Sequence, residues 1–193
     1  MKLSAEDKSR IHAAIGAAEA RCHVHLAVSV VPASDRYALF PLVWGAVIAL
    51  FVGGAMALGW PHLHLREAFA IEAGVFIVFS LVFDWWPLRL ILVPRHTRRR
   101  HAQALAHREF AARILASSKQ KGGMLFFVSL GERYAEIIAD RETHARVGGP
   151  PWKEIVGNYL AAAKQGHIAD GIVTAIDACA DVISSPSPAQ RVL

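Results

Sequence analysis

The longest apolar segment of the chain runs from Leu39 to Gly59 and contains 21 residues without a charge. At 1.5 Å of rise per residue, such a helix measures about 30 Å, which matches the hydrocarbon core of a bilayer. A second apolar segment follows over about 68–88 and includes Glu72 and Asp84. We therefore predict a two-helix transmembrane hairpin over 37–93, with helices at about 39–59 and 68–88.

The charges of the second segment leave an alternative open. Glu72 and Asp84 would lie within about a turn of the bilayer surface, where a charged side chain costs less than at the midplane. The pattern also fits a buried helix of a soluble domain over 68–93. Aromatic residues of the kind found at membrane interfaces favour the hairpin, and they are Tyr37, Trp60, Trp85 and Trp86.

Helix and strand patterns flank the apolar segments on both sides. Before them, a capping box at Ser4 and Asp7 predicts a helix from about Ala5 to Arg21, and alternating valine and leucine predict a strand over 23–31. After them, the patterns predict a helix over 102–117, an apolar strand over Met124–Leu130 that is covered on both faces, a second strand over 134–139, and helices beginning at Pro150 and near Ile168.

The soluble pieces, residues 1–36 and 94–185, are predicted to form one domain. A strand after a single helix cannot bury both faces, and the strand Met124–Leu130 needs neighbours of its own. Two membrane crossings would return the chain to the side that it left. The predicted fold class is α/β, with a small mixed sheet and helices packed on it, interrupted by the hairpin at 37–93 and followed by a flexible tail at 186–193.

The positive charge of the chain is concentrated behind the second apolar segment. The net charge of the chain is +5. A basic block follows the second apolar segment and contains Arg95, Arg98, Arg99 and Arg100. Basic residues on the flank of a membrane segment mark its cytoplasmic side. We therefore predict a multi-pass protein of the plasma (inner) membrane with both termini in the cytoplasm. Topology and anionic head groups account for the block, so nucleic acid is not predicted as a partner.

Cysteine use indicates packing residues. Cys22 and Cys179 lie far apart, each on the apolar side of a predicted helix, and neither belongs to a CxxC motif. Reduced, buried cysteines are favoured over a disulfide. The chain before Leu39 holds a charged amphipathic helix and no long apolar stretch after positive charge, so no secretory signal is predicted.

Candidate chemistry gathers around the predicted strand hairpin. Glu132 and Arg133 lie in its turn, Asp140 follows its second strand, and His25 lies on the first strand of the chain. Carboxylates near an imidazole can ligate a hard divalent ion or transfer protons. The metal candidates are thus Asp140, Glu132 and His25, and the catalytic candidates are Asp140, Glu132 and Arg133. The alternative is that these are ordinary turn residues, since no GxSxG, Walker A or HExxH motif is present.

Three stretches resemble the TPM-domain family. They are AAIGAAEAR, GGMLFFVSLGERYAEIIAD, and the pair PWKEIV and GHIADGIVTAIDACADVI. That family comprises thylakoid-lumen phosphatase-like proteins and many bacterial membrane proteins with a small α/β sandwich, and the chain looks closest to a short bacterial subgroup with two inserted membrane helices. Where related sequences enter the first strand with Gly-Glu, this chain has Val24-His25, which weakens an inherited carboxylate site.

The resemblance implies two functions of different kind. The first is a cytoplasm-facing binding or membrane-complex maintenance module, whose partners are the lipid bilayer and a membrane protein. The second is a metal-dependent phosphatase-like hydrolase, because some plant members have been linked to acid-phosphatase activity and to a divalent ion such as Ca²⁺ or Mg²⁺. The sequence does not decide between these two functions, and it does not indicate an oligomeric state.

Overall fold

The computed structural model of the chain describes residues 4–35, 37–60, 62, 64–85, 92–116 and 122–185. The predictions for Trp86, for the end of the second apolar helix near 88 and for the tail at 186–193 lie outside these residues. In chain order the elements are helix α1 (Ala5–Cys22), strand β1 (His25–Val31), helices α2 (Leu39–Gly59), α3 (Leu65–Phe83) and α4 (Arg95–Phe110), a π-helical turn (Ala111–Leu115), strands β2 (Gly123–Ser129) and β3 (Tyr134–Ala139), and helices α5 (Arg141–Val147), α6 (Pro150–Lys164) and α7 (Ile168–Ser184).

The chain divides into two compact units. The sheet unit combines Met1–Ser34 with Arg99–Leu193, and the helix-pair unit is Asp35–Arg98. The sheet unit is therefore built from two separate stretches of sequence, and the helix-pair unit is inserted between them.

The sheet unit contains a mixed three-stranded sheet, as predicted from the sequence. Its strand order is β1-β2-β3, with β1 parallel to β2 and β3 antiparallel to β2. His25 lies opposite Gly123, and Val31 lies opposite Ser129. Parallel neighbours need a long crossover between them, and here the crossover contains the whole helix-pair unit.

Strand β2 is buried over its full length, which confirms that both its faces are covered. Successive side chains of a strand point to opposite faces. Met124, Phe126 and Val128 join the larger core, whose other members come mainly from α1, α6 and α7. Leu125 and Phe127 join a smaller core with α4 and the π-helical turn. A central strand placed between two helical layers explains its uninterrupted apolar sequence.

Helix α1 begins as its sequence predicts and is fastened to α7. The Ser4 hydroxyl accepts the Asp7 N–H at 3.0 Å, and the Asp7 carboxylate accepts the Ser4 N–H at 3.0 Å, so the capping box is complete. Three exposed ion pairs join the helices, and they are Arg10 with Asp170, Arg21 with Asp177, and Arg21 with Asp181. Exposed ion pairs are screened by water and contribute little to stability, so the buried contacts between α1 and α7 dominate this interface.

Both cysteines are free and buried, which confirms the prediction that they are packing residues. Burial raises the pKa of the Cys179 thiol to about 12, and the neighbouring Cys22 contributes in the same direction. The thiol of the unfolded chain ionises near its ordinary pKa of 9.0. The native environment therefore favours the protonated thiol.

We expect the fold to lose stability as the pH rises above about 9, because the unfolded chain then releases the Cys179 proton while the folded chain keeps it. This contribution is fully present below the unfolded pKa and disappears as the pH passes through the folded value of about 12. Thermal unfolding over this alkaline range measures the slope. Cys179→Ala should give a shallower slope despite lower absolute stability, and an unchanged slope would contradict the assignment.

The helix-pair unit is held together along a stripe of small residues. Gly45, Ala49 and Gly53 recur every four positions of α2. A Cβ atom at Gly45 would lie 2.5 Å from Ser80 Oγ, and one at Gly53 would lie 3.1 Å from the Glu72 carboxyl carbon. These contacts run in opposite directions along the two helices, so α2 and α3 are antiparallel. Small residues at this spacing allow the close backbone approach that is common between membrane helices.

Among the described helices, only α2 is long and apolar enough to cross a membrane. It has 21 residues and a mean hydropathy of 2.1, and 11% of its apolar window is buried. Helix α3 begins at Leu65, before the predicted start near 68, and so includes Arg66 and Glu67. Glu72 is consequently about two turns inside α3, rather than about one turn from its end as the sequence suggested.

Candidate functional site

The predicted cluster of polar residues is divided between the two ends of the sheet. His25 lies opposite Gly123, whose carbonyl accepts the Asp140 N–H at 2.9 Å. Glu132 and Arg133 lie in the turn between β2 and β3, beyond the other end of β2. The seven residues of β2 span about 20 Å. In an antiparallel hairpin, the turn lies at one end and the residue that follows the second strand lies at the other. The structure therefore does not bring the predicted metal and catalytic candidates together.

Asp140 and His25 each have a local structural role. The Asp140 carboxylate accepts the Thr143 N–H at 2.9 Å and caps the N-terminus of α5. His25 Nδ1 lies 2.8 Å from Glu19 Oε1, and the same oxygen accepts the Leu26 N–H at 2.8 Å. These contacts join the end of α1 to the start of β1. Within the described residues, no group of three or more His, Cys, Asp or Glu side chains is placed to hold a metal ion.

Glu132 fixes the β2–β3 turn onto the chain that leaves β1. Its carboxylate accepts the Ser34 N–H at 2.9 Å and the hydroxyl of the buried Ser129. The Ser34 hydroxyl also donates to Ser129 Oγ at 3.0 Å. Because two strand ends share this carboxylate, Glu132 stabilises the end of the sheet at which the chain enters the helix-pair unit.

A pocket of about 580 Å³ lies beside this turn, within the sheet unit. Its volume is within the range of about 300 to 1,000 Å³ that is usual for small-molecule sites. Its walls come from the β2–β3 hairpin, α4, the end of α6 and the start of α7. The lining residues are Arg99, Val128, Ser129, Leu130, Arg133, Tyr134, Tyr159, Leu160, Ala163, Lys164, Gly166 and Ile168.

The charged side chains that line this pocket are all cationic. Arg99, Arg133 and Lys164 belong to three different elements, and none of them has an ion-pair partner in the described part of the chain. The two neighbouring carboxylates are engaged by hydroxyl groups: Glu132 accepts from Ser129, and Glu136 accepts from Tyr134 at 2.8 Å. The pocket therefore presents positive charge to any ligand that enters it.

Tyr134 keeps its proton in this setting. Burial raises its pKa, the hydrogen bond to Glu136 and the charge of Glu136 raise it further, and the charge of Arg99 opposes them. The hydroxyl is therefore a fixed donor to Glu136. Arg99 and Tyr134 line the same pocket.

Arg133 adopts an unusual backbone conformation. Its φ is +50°, in the left-handed region, and its N–H donates to the Leu130 carbonyl at 3.3 Å to close the turn. This conformation costs an L-residue other than glycine about 1 to 2 kcal/mol. An arginine at a position where glycine is less strained is consistent with a need for its side chain.

The basic block forms the first turns of α4. Arg95, Arg99 and Arg100 are exposed, whereas Arg98 is half-buried. The first turn of α4 contains no acidic residue. Basic residues in the first turn of a helix oppose its dipole. The block therefore does not stabilise α4 electrostatically, and its position calls for another role.

No local pattern in the sequence marks the pocket. The sequence predicts a topological role for Arg99 and a catalytic role for Arg133, and it predicts no role for Lys164 or for the pocket surfaces of Tyr159 and Ile168. Of the predicted interfacial aromatics that are described, Tyr37 is buried, and Trp60 and Trp85 are exposed. No protein family model, curated protein or solved structure matches the chain.

Proposed function

We propose that this protein is a membrane-inserted binding module. In this proposal a TPM-like α/β domain faces the cytoplasm, is held at the inner membrane by α2 and α3, and binds a partner at that surface. The observation that carries the proposal is the uncharged helix Leu39–Gly59, which leaves most of its apolar surface uncovered and is inserted between two strands that pair directly.

The exposed surface of the helix-pair unit supports a membrane location. Large apolar side chains are exposed along both helices, and Leu50, Phe51, Leu58, Phe69 and Leu81 are each about 70% exposed or more. A core helix of a soluble protein buries its apolar side chains, and an apolar surface of this size in water promotes aggregation. The exposed apolar side chains of α2 and α3 are suited to a lipid environment.

The pairing of α2 with α3 supports two crossings. Gly45 and Gly53 let α3 approach along the full contact, and an antiparallel partner returns the chain toward its starting side. Glu72 lies over Gly53, so its carboxylate is directed at the partner helix, which is the usual placement of an ionisable group in a membrane segment. The basic block that follows would then lie on the cytoplasmic side.

We expect the full chain to stay in the membrane fraction after alkaline carbonate extraction. A reporter fused after Leu193 should report the cytoplasm, and a reporter inserted at His62, between α2 and α3, should report the opposite side. A cytoplasmic reading at both places would indicate that the helices do not cross, and a non-cytoplasmic reading after Leu193 would contradict the proposed topology.

The metal-dependent hydrolase has no comparable support. Asp140, Glu132 and His25 are divided between the two ends of the sheet, and each has a structural partner. The binding module is therefore the function that the geometry favours.

A further inference from the structure

We propose that the pocket beside the β2–β3 turn binds a phosphate-bearing anion that also has an apolar portion. This inference deepens the proposed binding function, on which it rests, by naming the ligand class. It follows from the charge of the pocket, from its apolar walls and from its place in the chain.

The three cations supply the anion recognition. Arg99 comes from α4, Arg133 from the β2–β3 turn and Lys164 from the end of α6, so they converge from three elements. Guanidinium groups bind phosphate oxygens through paired N–H donors, and such charge-assisted hydrogen bonds are about twice as strong as neutral ones. Within the described residues none of these three cations forms an ion pair, so all three are available to a ligand.

The remaining walls favour a ligand that is more than a free inorganic ion. The apolar lining residues are Val128, Leu130, Tyr159, Leu160, Ala163 and Ile168. A volume of about 580 Å³ exceeds what a single phosphate needs. Apolar walls with a few charged groups are typical of sites that bind organic molecules and orient them by one polar end.

The place of the pocket in the chain makes a membrane source of this anion available. The chain leaves the sheet unit after Ser34, which donates to Glu132 beside the pocket, and it returns at Arg99, which lines the pocket. Ser34 precedes Leu39 by five residues, and a chain of this length spans at most about 18 Å. If α2 is inserted as proposed, the phosphate can belong to a phospholipid head group, and otherwise it belongs to a soluble phosphate ester.

The test measures binding to the purified full chain in neutral detergent by isothermal titration calorimetry. The probes are inorganic phosphate, glycerol 3-phosphate, a short-chain phosphatidic acid and, as the neutral comparison, a short-chain phosphatidylcholine. The pocket variant is R99Q/R133Q/K164Q. The matched control is K8Q/R108Q/K153Q, which removes the same charge from exposed residues that do not line the pocket.

We expect the pocket variant to weaken binding by about tenfold or more, because it removes three charge-assisted contacts. The control should change binding by less than about threefold, since exposed charges at a distance are screened by salt. Arg133→Gly is the second variant. Glycine suits the φ of +50° at this position, so the fold should keep its unfolding midpoint while anion affinity falls.

The outcomes separate the two sources and the two proposals. If the protein binds phosphatidic acid but not glycerol 3-phosphate, the ligand is a lipid head group. If it binds both with comparable affinity, the ligand is a soluble phosphate ester. Absence of binding to every anion, or equal losses in the pocket variant and its control, overturns the inference. Either negative result in a protein that remains in the membrane leaves the membrane-inserted module standing, whereas extraction by carbonate contradicts that module independently of the pocket.

Discussion

Replacing Leu50 by arginine is expected to remove much of the protein from the membrane fraction. Leu50 lies near the middle of α2, is 69% exposed and therefore does not depend on packing against α3. An arginine at the centre of a membrane helix costs about 2.5 to 3.5 kcal/mol on insertion scales. The same exposed substitution in a soluble helix changes stability by about 0.5 kcal/mol or less. The two environments thus predict different results for one change.

Leu58→Arg is the matched control for this experiment. Leu58 is also exposed, but it lies next to the end of α2, where the arginine side chain can extend to the interface. The fraction that resists carbonate extraction should fall for Leu50→Arg and stay near the wild-type value for Leu58→Arg. Wild-type behaviour of Leu50→Arg would contradict the membrane location of α2.

Replacing Phe126 by alanine is expected to lower the free energy of unfolding by about 3 to 5 kcal/mol. Phe126 lies in the central strand, is fully buried, and its ring meets Tyr159 edge-on with a centroid distance of 5.2 Å. The substitution leaves a cavity between the sheet and α6, and domains have only about 5 to 15 kcal/mol of stability in total. The substitution would therefore remove a large fraction of the stability of the sheet unit.

Denaturant unfolding of the full chain in detergent measures this loss. Phe126→Leu is the control, because it retains much of the volume and should cost less than half as much. Phe127→Ala removes the same ring from the opposite face of β2, where it joins the smaller core with α4, and should also destabilise strongly. A change of less than about 1 kcal/mol at either position would contradict burial of that face.

Structural features that depend on residues close together in the chain could be predicted from the sequence. The start of α1 followed from Ser4 and Asp7, which bond each other directly. The burial of Met124–Leu130 on two faces followed from an apolar run without alternation. The cap of α5 also has a local signal, because aspartate is a preferred N-cap residue, and the Asp140 carboxylate accepts the Thr143 N–H rather than serving the predicted chemistry.

Features that depend on strand direction or on distant segments could not be predicted in this way. The separation of Asp140 from Glu132 depends on which end of the sheet each residue occupies, and composition does not report it. The pocket draws Arg99, Arg133 and Lys164 from three elements with no shared local pattern. Helix α3 starts at Leu65, before the predicted start near 68, and its first turn includes Arg66 and Glu67. A prediction from hydropathy alone leaves such polar residues out of the helix.

The parallel pairing of β1 with β2 has a consequence for biosynthesis. His25 pairs with Gly123, so β1 leaves the ribosome about 5 to 20 s before its partner at ordinary rates of translation. Both helices of the inserted unit are synthesised during that interval. If they insert as proposed, an odd number of crossings would leave β1 and β2 on opposite sides of the bilayer, where they cannot pair. In the proposed topology, pairing of β1 with β2 would therefore require an even number of crossings.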